Sequence, residues 1–215
     1  MSNRLLLAVV ILLAAASIGL ALFWNPTATT APFKPPHSAL PAATAPTGGD
    51  FTLRAATGPV SLKDYRGKVV LLYFGYTYCP DICPTSLTAT AQGLASLAPA
   101  ELARVRTIFV SVDPERDTPE RLKEYAPFFH PSIIGVTGTA AEIADVAGRY
   151  GASYARQQIT GVANYVVDHS ALTYVIAPDG RLVGSLPHAA PPQQVAAEIR
   201  KWLSPSSTAN QGAPQ

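Results

Sequence analysis

The sequence predicts an α/β fold: a central mixed β-sheet flanked by helices, preceded by one N-terminal transmembrane helix. Three observations predict it. Apolar runs with β-branched and aromatic residues, the pattern of strands buried on both faces, alternate with segments of helical periodicity. Late in the chain two more strand-like runs flank Pro178-Asp179-Gly180, a hairpin turn signal. The last pair is therefore antiparallel, whereas the earlier strands, joined through helices, are parallel. At the start, Leu5 to Trp24 is a twenty-residue stretch without a charge, long enough to span a bilayer core.

Residues 1–24 read as an uncleaved membrane anchor. Arg4 flanks the apolar stretch on one side and no Lys or Arg follows until Lys34, which places the N-terminus in the cytoplasm and the remainder across the membrane. A cleaved signal peptide is the competing reading; its apolar region is normally shorter, and no strong cleavage signal follows Trp24. The rest of the chain is exported under either. Residues 25–49, rich in Pro, Ala and Thr and without hydrophobic periodicity, read as a tether. Residues 204–215 read as a frayed tail, which leaves 50–203 as one domain of ordinary size.

Within that domain Phe51–Leu62 is an N-terminal addition, and Lys68–Phe74 is the first central strand. Thr85–Leu97 is helical, with apolar Leu87, Leu94 and Leu97, and Val105–Val112 is a second buried strand closed by Asp113-Pro114. Thr118 as N-cap and Pro119 in the first turn open a helix that Arg121–Phe129 continues. Ile133–Val136 is a short strand, and Thr139–Tyr150 a helix with Thr139 and Glu142 spaced as a capping box. Ala171–Ala177 and Arg181–Ser185 form the hairpin, and Pro192–Leu203 a closing amphipathic helix. This order, β-α-β-α-β-α, hairpin, helix, is that of a thioredoxin-like fold, with an insertion before the third helix.

A net charge of +2 over 215 residues, with no basic run, excludes a nucleic-acid partner. The chemistry concentrates in the only two cysteines, Cys79 and Cys83, directly after the first central strand. Positions i and i+4 share one face of a helix with Cα atoms ~6 Å apart, which fits either a disulfide or two ligands to one soft metal ion. A purely structural disulfide is disfavoured, because so short a loop removes little entropy from the unfolded chain. The carboxyl end of a central strand is where an open α/β sheet places reactive groups, and a helix N-terminus there stabilises a thiolate. Three residues separate the cysteines, one more than in a thioredoxin-type disulfide carrier, so both sulfurs can face an ion. Spacing alone leaves both products open.

A third ligand discriminates. His37 lies in the tether, His130 ends a helix beside Pro131, and His188 sits in a Pro-rich loop; these read as solvent-facing. His169, just before the strand from Ala171, comes beside the cysteines in a thioredoxin-like topology. It either supplies the ligand or satisfies loop hydrogen bonds. Two thiolates and one imidazole favour copper, above all Cu(I), and can hold Cu(II); zinc normally takes a fourth ligand. Asp168 is placed either to orient the imidazole or to serve the turn. The only methionine is Met1, so a methionine-based copper site is excluded.

The segment from Phe74 through Cys79-Pro80-Asp81-Ile82-Cys83-Pro84 resembles the hallmark of the Sco/SenC family of membrane-anchored copper proteins. So do Ser111-Val112-Asp113-Pro114-Glu115-Arg116-Asp117-Thr118-Pro119, Gly135-Val136-Thr137-Gly138, and Tyr165-Val166-Val167-Asp168-His169-Ser170 followed by Pro178-Asp179-Gly180. The resemblance implies that Cys79, Cys83 and His169 bind one copper ion. It also implies a role in assembling the dinuclear copper centre of cytochrome c oxidase, with that enzyme's copper-receiving subunit as partner. Other periplasmic copper carriers and thiol reductants are the further partners expected, and Asp113 is expected to support the site. The reading is thus a metallochaperone rather than a turnover enzyme. The alternative is a thiol-disulfide oxidoreductase in which Cys79 and Cys83 reduce cysteines of the copper-receiving partner. A peroxidase of the peroxiredoxin kind expects a threonine three residues before the nucleophile, where Tyr76 stands.

Overall fold

Residues 12–14, 16–18, 46–158 and 165–204 are described by the structure, a computed structural model. The chain divides into two units, Met1–Ala39 and Leu40–Gln215. In the first, residues 12–14 and 16–18 are helical. Among the described residues no helix is long and apolar enough to cross a membrane. Most of the expected anchor, most of the tether and nearly all of the tail lie outside the described residues.

The second unit is built on a five-stranded mixed sheet. Its central strand, Val69–Gly75 (β3), is buried at every position, as expected of the most apolar run in the domain. Val105–Ser111 (β4) pairs parallel with it, and Ile133–Val136 (β5) pairs parallel with β4. On the other side Thr173–Ile176 (β8) pairs antiparallel with β3, and Leu182–Leu186 (β9) antiparallel with β8, giving the order β5-β4-β3-β8-β9. The turn between β8 and β9 is the expected one: Gly180 takes φ +92 and donates from its N–H to Ala177 O at 2.8 Å.

The helices follow the expected order. Ile82–Ala95 (α1) packs against the closing helix Pro192–Leu203 (α5), with short helix Pro99–Leu102 (α2) after α1. Pro119–Phe129 (α3) starts where Thr118 Oγ1 accepts from Arg121 N at 3.2 Å. Ala140–Tyr150 (α4) carries the expected capping box, Glu142 N to Thr139 Oγ1 at 3.2 Å and Thr139 N to Glu142 Oε2 at 2.6 Å. The N-terminal addition is a hairpin of Thr52–Ala55 (β1) and Gly58–Ser61 (β2), latched to the end of β5 by paired bonds between Arg54 and Thr137. The folded unit starts slightly before residue 50, since the N–H groups of Thr47 and Gly48 both donate to Arg149 O at 2.9 Å.

Three expectations need correction. The insertion follows the helix Ala140–Tyr150 rather than preceding it: a separate antiparallel pair, Tyr154–Gln158 (β6) with Tyr165–His169 (β7). Its first strand is polar and largely exposed, so it shows no alternation of apolar residues. His169 therefore ends a strand instead of lying in a plain loop. Helix α1 starts at Ile82, because Asp81 has φ −140 and ψ −67, outside the helical region. Cys83 is in its first turn, whereas Cys79 lies in the preceding loop, so the pair does not share a helix face.

Candidate metal centre

Three elements bring the site together. β3 stops at Gly75, and the chain turns through Tyr76–Cys79, where Cys79 N donates to Tyr76 O at 3.2 Å. Helix α1 then presents Cys83, whose N–H points back at Cys79 Sγ at 3.4 Å. From the end of β7, His169 Nε2 reaches Cys83 Sγ at 3.1 Å. The donor atoms of Cys79, Cys83 and His169 all lie within 4.8 Å of one another. Both cysteines are free thiols, and all three side chains are buried.

The imidazole is oriented. His169 Nδ1 lies 3.0 Å from Ser170 O, a carbonyl that only accepts, so in the neutral ring Nδ1 carries the proton and Nε2 turns its lone pair to the sulfurs. That bond belongs to Ser170, not to Asp168, which sits opposite Ala155 in the β6–β7 pair. Tyr73 and Tyr76 meet the ring edge-on, at 6.2 and 5.8 Å between centroids. Two soft sulfurs and one imidazole suit copper, and Cu(I) in particular.

The SCO1/SenC family model matches residues 40–204. The chain belongs to the SCO1/SenC family. It is 40% identical over 157 residues to the mitochondrial SCO2 homolog of Bos taurus, an alignment covering 72% of this chain and 59% of that protein. It spans about half to two thirds of the length of the curated relatives it matches. Among solved structures, apo Sco1 of Thermus thermophilus is 41% identical, covering 75% of this chain and 94% of that one, with TM-score 0.66. ScoI of Bradyrhizobium japonicum, solved with copper bound, is 39% identical, covering 73% and 99%, with TM-score 0.67.

The two cysteines of this Sco-family domain are electrostatically unequal. A hydrogen bond from the Cys83 thiol, opposed by burial and aided by the N–H groups of Cys83 and Asp81, holds the Cys79 thiol down at about 4. Burial first, and the neighbouring Cys79 second, push Cys83 well above the ordinary thiol range. The metal-free pair is thus one thiolate beside one thiol. Alkylation of the reduced, metal-free chain is therefore expected at Cys79 alone, at a rate level from pH 8 to pH 5 that falls as pH passes through about 4. A group with a depressed folded pKa stabilises the fold fully above its unfolded value of ~8.5 and loses that contribution as pH falls through the folded value. The reduced chain should therefore lose stability on acidification across that window, by denaturant melts at fixed pH.

His130 and His188 are engaged elsewhere. His130 Nδ1 lies 2.7 Å from Ser132 Oγ and accepts from Ser132 N at 3.1 Å, closing the turn after α3. His188 Nδ1 lies 2.8 Å from Ser86 Oγ. His37 is outside the described residues. Asp113 is no ligand but a buried tie: Oδ1 accepts from Tyr165 OH at 2.7 Å and Oδ2 from Arg116 Nε. Arg116 in turn stacks 3.7 Å over the Tyr165 ring and donates to Tyr165 O at 2.9 Å, joining the end of β4 to the strand that carries His169. Sequence reasoning quoted Asp117, Thr77 and Gly75 only as members of the family-like motifs and gave them no role, although their side chains or lack of one bear directly on the cysteine loop.

Proposed function

We propose that this chain is a membrane-anchored copper-delivery protein of the periplasm. Cys79, Cys83 and His169 hold one copper ion for assembly of the dinuclear copper centre of cytochrome c oxidase. The observation that carries the reading is the convergence of three soft or borderline donors from a loop, a helix and a distant strand, with Cys83 Sγ 3.1 Å from His169 Nε2. Family membership and the copper bound in the Bradyrhizobium relative support it. The charge-free stretch Leu5–Trp24 supports the anchor.

In this site the cysteines supply thiolate charge, the imidazole adds a neutral donor, and the buried surroundings exclude water. Three ligands leave the ion under-coordinated for passage to an acceptor with more donors. Because metal binding needs both sulfurs reduced, the cysteine pair also acts as a switch: oxidation joins the sulfurs with loss of two electrons and the thiol proton, and removes both ligands. The unequal thiols favour one second reading. Cys79 as attacking thiolate and Cys83 as resolving thiol make a dithiol reductant of a partner's disulfide.

Titration of the reduced chain with Cu(I) against a chromogenic chelator is expected to show one tightly held ion, and none after oxidation of the cysteine pair. Retention of the ion by the oxidised chain would remove the thiolates from the account.

A further inference from the structure

Asp117 is the most deeply buried carboxylate beside the site, with no exposure, and its hydrogen bonds go to residues other than the three donors. Its oxygens are fully used. Oδ2 accepts from Thr77 N at 2.9 Å and from Ser111 Oγ at 2.6 Å, and Oδ1 accepts from Thr77 Oγ1 at 2.6 Å. Thr77 Oγ1 also accepts from Arg121 Nε at 2.5 Å, and the Arg121 guanidinium stacks 4.3 Å over the Tyr78 ring. Burying a carboxylate is costly unless donors and a counter-charge replace its water; the Arg121 guanidinium lies 3.9 Å from Oδ1, and two of the three hydrogen-bond donors come from one residue of the cysteine loop. That residue lies two positions before Cys79, inside the turn closed by Cys79 N and Tyr76 O.

The loop has little else to hold it. Cys79 is not on the helix, and the helix start has no side-chain cap. Without Asp117, the section from Thr77 to Cys79 would keep the Tyr76–Cys79 turn bond, the Arg121 bond to the Thr77 hydroxyl, the Cys83 N–H to Cys79 Sγ contact and the stacking on Tyr78, but would lose both bonds that Thr77 makes to the end of the β4 side. The end of β4, by contrast, belongs to the central sheet, and Asp117 is tied to it through Ser111, to the loop after it through its own N–H to Asp113 O at 3.0 Å, and to helix α3 through the Arg121 guanidinium 3.9 Å from Oδ1.

We propose that Asp117 is the positioning residue of the metal centre: through Thr77 it clamps the cysteine loop to the β4–α3 corner, so that Cys79 Sγ is held facing Cys83 and His169. This rests on the copper-site reading above. The role requires the Thr77 hydroxyl, which a methyl group of equal size cannot replace.

The test compares Thr77→Val, Thr77→Ser and Asp117→Asn in the full chain, with His169→Ala beside them. Two quantities are measured: Cu(I) affinity by chelator competition, and amide hydrogen exchange at Tyr78 and Cys79 in the metal-free protein. Thr77→Val is expected to weaken Cu(I) binding by about 10–100-fold, the range for groups that orient metal ligands, and to speed exchange at both amides. Thr77→Ser should restore both. Asp117→Asn, which turns one acceptor into a donor facing other donors, should match or exceed the valine variant. If it fails to fold, the Thr77 pair decides. Wild-type affinity and exchange in Thr77→Val, or failure of serine to rescue, would overturn the proposal. If His169→Ala leaves Cu(I) binding intact, the three-ligand site is wrong, and the exchange data on metal-free protein still decide whether Asp117 holds the loop.

Discussion

Replacing His169 with alanine is expected to lower Cu(I) affinity by on the order of 100-fold or more, beyond the range seen when only a supporting group is lost. The imidazole is the one donor supplied from outside the cysteine segment, and Ser170 O fixes its tautomer so that Nε2 faces Cys83 Sγ at 3.1 Å. The fold should survive, because His169 ends a strand outside the central sheet; loss of the edge-on contacts with Tyr73 and Tyr76 costs about 1 kcal/mol each. This variant also separates the two functional readings. A dithiol reductant needs Cys79 and Cys83 but not the imidazole as a ligand, so disulfide reduction should persist where copper binding is lost. Chelator competition and a disulfide-reduction assay on the same preparation check both halves.

The second large effect is expected at Gly75. This residue ends β3 directly beneath the site, and a Cβ placed on it would lie 2.6 Å from Cys83 Sγ, 2.9 Å from Phe109 Cε2 and 3.1 Å from Tyr73 Cε1. None of the three can yield easily. Cys83 is fixed in the first turn of α1, and both rings are fully buried and stacked on one another. Gly75→Ala should therefore destabilise the domain by about 1–3 kcal/mol, the usual cost of overpacking a core. It should also push Cys83 Sγ away from His169 and weaken Cu(I) binding. Gly148→Ala is the control: nothing lies within 4 Å of its Cβ position, on an exposed face of α4, and it should stabilise the helix by roughly 0.5–1 kcal/mol. Denaturant unfolding of the two variants checks the contrast; equal stability at both positions would mean that Cys83 does not occupy the space above Gly75.

Much of this was legible in the chain. The apolar run Lys68–Phe74 is read correctly because it is short and rich in β-branched and aromatic residues, which favours a strand buried on both faces over a buried helix. The two cysteines and His169 followed from spacing, from the position of the pair after the central strand, and from the weakness of the other three histidines. Local backbone detail was not legible. The i, i+4 spacing suggested one helix face, but the non-helical backbone of Asp81 starts the helix at Ile82 and puts Cys79 in a loop. The β6 strand escaped notice because Tyr154–Gln158 is mostly exposed and polar, so its pairing with β7 left no periodic trace. Asp117 was hidden for a different reason. Its partner Thr77 lies forty residues away, and nothing in either local sequence says that the two meet. Gly75 likewise reads as an ordinary strand end until Cys83 is seen to fill the space above it.

The central claim is that one imidazole joins two sulfurs on the same ion. X-ray absorption at the copper edge of the Cu(I)-loaded wild-type chain and of His169→Ala tests it most directly. Two sulfur neighbours and one imidazole nitrogen are expected in the wild type, with the nitrogen lost in the variant. Sulfur neighbours alone in the wild type, or an imidazole signal that persists without His169, would contradict it.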